Sequence, residues 1–86
     1  MKANDRFNVY NLEGNRIYYG NMTESERFSL YSNEGIYKAY GIFHSKDNFS
    51  IYSTNGERTS YGIMNGTTDF NIYDLEGERI SYGMRE

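Results

Sequence analysis

Residues 7–20 read Phe7-Asn8-Val9-Tyr10-Asn11-Leu12-Glu13-Gly14-Asn15-Arg16-Ile17-Tyr18-Tyr19-Gly20, and the same frame returns three more times at intervals of 21 residues. Phe7, Phe28, Phe49 and Phe70 open it. Tyr10, Tyr31, Tyr52 and Tyr73 follow, Gly14, Gly35, Gly56 and Gly77 mark its middle, and Tyr19-Gly20, Tyr40-Gly41, Tyr61-Gly62 and Tyr82-Gly83 close it. No insertion disturbs the spacing, so the chain is a tandem repeat before any local assignment is attempted. The hairpin repeats span 3–22, 24–43, 45–64 and 66–85 of a single domain, 1–86.

Within each copy, aromatic and β-branched residues flank a short segment with turn chemistry, the pattern of a β-hairpin. The turn begins at Asn11, Ser32, Ser53 or Asp74, and its fourth residue is always Gly. That is the signature of a type I turn closed by a left-handed Gly. The links between copies, such as Thr23-Glu24-Ser25-Glu26 and Asn65-Gly66-Thr67-Thr68, are short and polar and leave no room for helices. The expected fold is therefore all-β: an antiparallel up-and-down sheet of about eight strands, strongly twisted.

Setting Asn11 opposite Asn15 places Tyr10 against Arg16, Val9 against Ile17 and Phe7 against Tyr19. Alternation along each strand then puts the phenylalanines on one face with the second-strand tyrosines. The expected aromatic face is Phe7, Tyr19, Phe28, Tyr40, Phe49, Tyr61, Phe70 and Tyr82, joined by Val9, Leu30, Ile51 and Ile72 and by Ile17, Lys38, Thr59 and Ile80. A sheet roughly 40 Å wide, at about 4.8 Å between strands, cannot cover both of its own faces if flat. An exposed aromatic surface on that scale marks an interface. Three covers are open: closure into a barrel, pairing with a second copy as a dimer, or docking on a partner.

Composition narrows the chemistry. The chain has ten Tyr and five Phe but no Trp, Cys or Pro. Disulfides, thiol catalysis and Cys-based zinc sites are thereby excluded, and an 86-residue chain must be stabilised by packing or association. No stretch is long and apolar enough for a membrane-spanning helix, and the N-terminal residues lack the apolar core of a secretory signal, so cytoplasmic residence is expected. Sequons at Asn21, Asn48 and Asn65 are read as chance in an Asn-rich chain. The net charge of −3 argues against nucleic acid as a partner.

The spacing of Phe7, Tyr10, Gly14, Gly20 and Met22 resembles the MORN repeat (membrane occupation and recognition nexus), and is closer to a bacterial variant found in toxin–antitoxin antitoxins. In that variant the first aromatic is usually Trp and the residue before the first Gly is often Asn; here Phe stands first, and Asn occurs only at Asn55. The resemblance implies a twisted array of stacked hairpins that serves protein association, in some members with lipid contact proposed, and carries no catalytic residues.

On the face opposite the phenylalanines, Tyr10 is expected against Arg16, Tyr31 against Tyr37, Tyr52 against Arg58 and Tyr73 against Arg79. Such a row can hold an anionic ligand or an acidic partner surface. The plainer reading is that each Arg lies over Tyr as a cross-strand pair and shields the sheet. Gly20, Gly41, Gly62 and Gly83 are expected on this outer face too, beside something bulky from the same sheet, with Met22, Phe43 and Met64 extending the packing. His44 is read as a solvated loop residue with no orienting Ser, Cys or carboxylate. Glu13, Glu34, Glu76 and Glu78 sit at separate turn tips and form no metal site.

These observations point to a non-enzymatic binding protein without cofactor or metal. The leading expectation is an inhibitor that occludes a partner protein, antitoxin-like or anti-defence-like, with self-association into a homodimer or larger oligomer as a further expectation. The alternatives are an oligomeric sink for a small anionic ligand such as a nucleotide, and a designed repeat scaffold.

Overall fold

The computed structural model describes residues 2–86 and consists of strands alone: β1 (Arg6–Asn11), β2 (Arg16–Glu24), β3 (Arg27–Ser32), β4 (Tyr37–Phe43), β5 (Asn48–Ser53), β6 (Arg58–Asn65), β7 (Asp69–Asp74) and β8 (Arg79–Arg85). Each strand pairs antiparallel with its sequence neighbours, and β1 pairs with β8, which closes the sheet into an eight-stranded up-and-down barrel. Of the three covers open to the aromatic face, closure is the one adopted. All four hairpin turns lie at one end of the barrel and the links and termini at the other.

The turns form as their residues dictate. In the first, Gly14 N–H donates to Asn11 O at 3.0 Å and Asn11 N–H donates to Asn15 O at 2.9 Å, while Gly14 adopts φ +87°, a value suited to glycine. The Asn11 side chain adds acceptors for Glu13 N–H and Asn15 N–H. Asp74 does the same for Glu76 and Glu78, and Ser32 does so for Glu34 and Ile36.

Beyond the turn the register departs from the expected one. Tyr10 is opposite Arg16 as expected, but Val9 is opposite Tyr18 and Phe7 opposite Gly20. Ile17 is left as the extra residue of a β-bulge, and Lys38, Thr59 and Ile80 occupy the same place in the other hairpins. Because side chains alternate strictly, one inserted residue exchanges the faces of everything that follows. Tyr19, Tyr40, Tyr61 and Tyr82 are therefore on the outside, not beside the phenylalanines. Gly20, Gly41, Gly62 and Gly83 face inward, where each accommodates a Phe ring from the adjacent strand of its own hairpin. A Cβ added at Gly41 would overlap the ring of Phe28, and the other three glycines meet Phe7, Phe49 and Phe70 in the same way.

Freed of a facing side chain, the four rings converge on the barrel axis. Phe7–Phe28, Phe28–Phe49, Phe49–Phe70 and Phe70–Phe7 have centroids 5.3–5.6 Å apart at 83–86°, a closed edge-to-face pinwheel. Val9, Leu30, Ile51 and Ile72 pack on its turn-end side, Met22 and Phe43 on its link-end side, all buried, and the space among the core side chains has no room for water. The link end is filled by large side chains. At the turn end the next inward residues are Tyr18, Ala39, Ser60 and Ser81, mostly small, and the barrel stays open there.

Candidate functional site: the turn-end mouth of the barrel

The outer Tyr/Arg row exists, with the cross-strand pairs Tyr10/Arg16, Tyr31/Tyr37, Tyr52/Arg58 and Tyr73/Arg79 in place. Its rings are nevertheless occupied. Tyr10 stacks on Tyr82, Tyr31 on Tyr19, Tyr52 on Tyr40 and Tyr73 on Tyr61, with centroids 5.3–5.4 Å apart and planes within 14–19°. The guanidinium groups lie over the second-strand rings: Arg16 over Tyr19 at 5.5 Å, Arg58 over Tyr61 at 5.6 Å and Arg79 over Tyr82 at 5.4 Å. Arg16 also donates to Asn33 Oδ1 at 2.9 Å and Asn8 Oδ1 at 3.2 Å. Each Tyr pair straddles a seam between hairpins; an Arg lies over three of the four seams, the Tyr40–Tyr52 seam having none, and a depression of about 710 Å³ beside Arg16, Tyr19 and Tyr31 stays open on this face.

His44 has a partner that the sequence did not suggest. Its Nε2 is hydrogen-bonded with Ser50 Oγ at 2.6 Å, and Arg58 Nε donates to the same oxygen at 3.1 Å. Ser50 is only 1 % exposed, so substrate cannot reach this hydroxyl; the trio ties the 44–47 link to the sheet.

The turn-end mouth is different, because none of the described residues fills it. It is a bowl of about 370 Å³. Buried Val9, Leu30, Ile51 and Ile72 form the floor, Tyr18, Ala39, Ser60 and Ser81 the wall, and the bulge residues Ile17, Lys38, Thr59 and Ile80 the rim, with Ser53 beside them. Sequence reasoning placed the floor and rim residues on the aromatic face it read as an interface, but did not single out a mouth among them. The bulge makes the rim: without it, positions 17, 38, 59 and 80 would be ordinary strand residues. No family, curated protein or solved structure matches this chain. The mouth must therefore be read from its own chemistry.

That chemistry is divided. Because β1 adjoins β8, the first and fourth hairpins are neighbours, and above the floor they contribute Ile17, Tyr18, Ile80 and Ser81. The second and third contribute Lys38, Ser53, Thr59 and Ser60. The first side has an apolar rim of Ile17 and Ile80 over a wall of Tyr18 and Ser81, the other carries the one cation, Lys38, with Ser53, Thr59 and Ser60, and the floor is aliphatic. Outside the bowl, the turn end also exposes Leu12, Ile36 and Leu75, each more than half accessible. Among the described residues no group of acidic, His or Cys side chains is arranged to hold a metal ion.

Proposed function

We propose that this chain is a non-enzymatic binding protein that takes a small, largely apolar ligand into the turn-end mouth of its barrel. The observation that carries the reading is the open bowl of about 370 Å³ over a buried aliphatic floor, a volume within the range that encloses small organic ligands, roughly 300–1,000 Å³. The core itself is closed, and the larger depression on the outer face, about 710 Å³ beside Arg16, Tyr19 and Tyr31, has no aliphatic floor. Burying alkyl carbon against such a floor is favourable by about 0.8 kcal/mol per methylene.

The test is a titration with decanol followed by methyl NMR. Shifts are expected at Val9, Leu30, Ile51 and Ile72, and Ala39→Phe, which fills the wall, should weaken binding at least tenfold with the barrel intact. No shift at these methyls would dispose of the reading.

A second reading, capture of a partner protein, is favoured by Leu12, Ile36, Leu75 and Ile80, which are 56 %, 55 %, 53 % and 44 % exposed at one end of the molecule. With Glu13, Glu34, Glu57, Glu76 and Glu78 exposed in the same turns, the fitting partner presents an apolar knob ringed by Lys and Arg. The antitoxin-like occlusion suggested by the repeat would then act through this end, since the Phe row is interior. Leu12→Asp with Leu75→Asp should abolish such a complex and leave decanol binding unchanged.

A further inference from the structure

We infer that the bowl is selective for an amphiphile with a singly charged anionic headgroup of the carboxylate type, and that Lys38 is the residue that selects it. This rests on the bowl being a ligand site, as proposed above. Lys38 is the only charged residue among those lining the bowl, and it sits on an exposed rim position created by the bulge. It has no carboxylate partner: among the described residues the single ion pair is Arg85 with Asp5, at the opposite end of the barrel. The other three cations of the turn end, Arg16, Arg58 and Arg79, are drawn away over Tyr rings on the outer face. Lys38 alone remains free to meet a ligand.

Its surroundings fit the anion and its tail in one pose. Ala39, the next residue, is opposite Ser53 across the β4/β5 seam, and Ser53 and Thr59 line the same side of the bowl as Lys38, their hydroxyls donating to Asn55 Oδ1 and Ile51 O. The Lys38 ammonium, with three N–H donors, is therefore the group on this side that a carboxylate would meet. Across the mouth, Ile17 and Ile80 face the polar half, and the aliphatic floor lies between. A tail laid on the floor therefore brings its headgroup to Lys38. The turn glutamates oppose an anion at long range, but none of them lines the bowl. Separation through water and salt screens them over about 8–10 Å, whereas a headgroup in contact with Lys38 feels an unscreened neighbour.

The experiment compares decanoate, decanol and decyltrimethylammonium, each below its micellar concentration, by calorimetry and by the same methyl shifts. The expected result is that decanoate binds about tenfold or more tighter than decanol, the ratio appropriate to one charge-assisted contact. Lys38→Gln should erase that ratio without weakening decanol, and Lys38→Arg should restore most of it. Lys38 is exposed, so Lys38→Gln is expected to keep the methyl spectrum of the parent, which the same data verify. Equal binding of decanoate and decanol, unaffected by Lys38→Gln, would overturn the headgroup assignment and leave the bowl standing. Tightest binding of the trimethylammonium compound would overturn it in favour of control by the acidic turns. If none of the three binds, or if Ala39→Phe binds all of them as before, the ligand-site reading itself fails, and the assignment with it.

Discussion

Four glycines decide which side chains can occupy the axis of this barrel. Gly20, Gly41, Gly62 and Gly83 each lie under a Phe ring, at positions where a Cβ would overlap ring carbons. Gly41→Ala is therefore expected to cost about 1–3 kcal/mol through overpacking, read from urea unfolding. The cause is specific enough to separate from any general loss of strand stability. In a Phe28→Leu background the ring atoms that meet Gly41 are gone, so the two changes together should cost less than their sum by at least about 0.5 kcal/mol. Strict additivity would mean that the close approach of Phe28 to Gly41 is not what the glycine serves. The outward tyrosines are a separate case: Tyr19 and its counterparts stack on neighbours across each seam and bring their hydroxyls beside the turn glycines of the next hairpin, as Tyr19 does at Gly35.

The hairpin element was legible in the sequence through the turn, its first flanking pair and the first-strand face shared by Phe7 and Val9, and no further. Turn type, turn glycine and the pairing of Tyr10 with Arg16 follow from residue chemistry alone, and the structure has all three. The bulge does not follow, because its residues, Ile17, Lys38, Thr59 and Ile80, share no size, polarity or branching. The signal that marks it lies elsewhere in the copy. Each Tyr-Gly step must put one member inside, and opposite an inward Phe only Gly leaves space for the ring. The mouth was invisible for the same reason, since its rim is made of bulge residues. Deleting Thr59 should turn Tyr61 inward and Gly62 outward, with a clash that no local adjustment relieves; loss of cooperative unfolding and of methyl dispersion is expected. One extra Gly after Gly66, in a link, should by contrast change stability by only a few tenths of a kcal/mol, since slightly longer loops cost little closure entropy. Comparable damage from both changes would mean that strand length, and not face assignment, is what the bulge controls.

At the scale of the whole molecule, closure follows from counting seams. Four copies in a row have three seams between hairpins, and each carries a Tyr stack: Tyr19–Tyr31, Tyr40–Tyr52 and Tyr61–Tyr73. Tyr10 and Tyr82 are left over, and they form the fourth stack only when β1 lies beside β8. The closing pair has the register of the internal ones: Tyr10 opposite Tyr82 and Val9 opposite Gly83 match Tyr31 opposite Tyr19 and Leu30 opposite Gly20. Among the described residues no edge strand remains to recruit a second copy, and light scattering is expected to give the mass of one chain, 10.1 kDa, at every dilution. If the seams are equivalent, where the ring is cut should not matter so long as every hairpin stays whole. The ends are already close, with Arg85 paired to Asp5 at 3.4 Å and Glu86 N–H donating to Arg6 O at 2.9 Å. A permutant joined there by a short Gly-Ser linker and opened between Gly66 and Thr67 should fold to the same barrel and melt within a few degrees of the parent. Opening instead between Asn55 and Gly56 breaks a hairpin turn and its bonds from Gly56 N–H to Ser53 O and Ser53 N–H to Glu57 O; that permutant should be less stable by about 1–3 kcal/mol. Equal stability of the two permutants would show that the ring is held by its eight strand pairings alike, and that the hairpin is a unit of the sequence only.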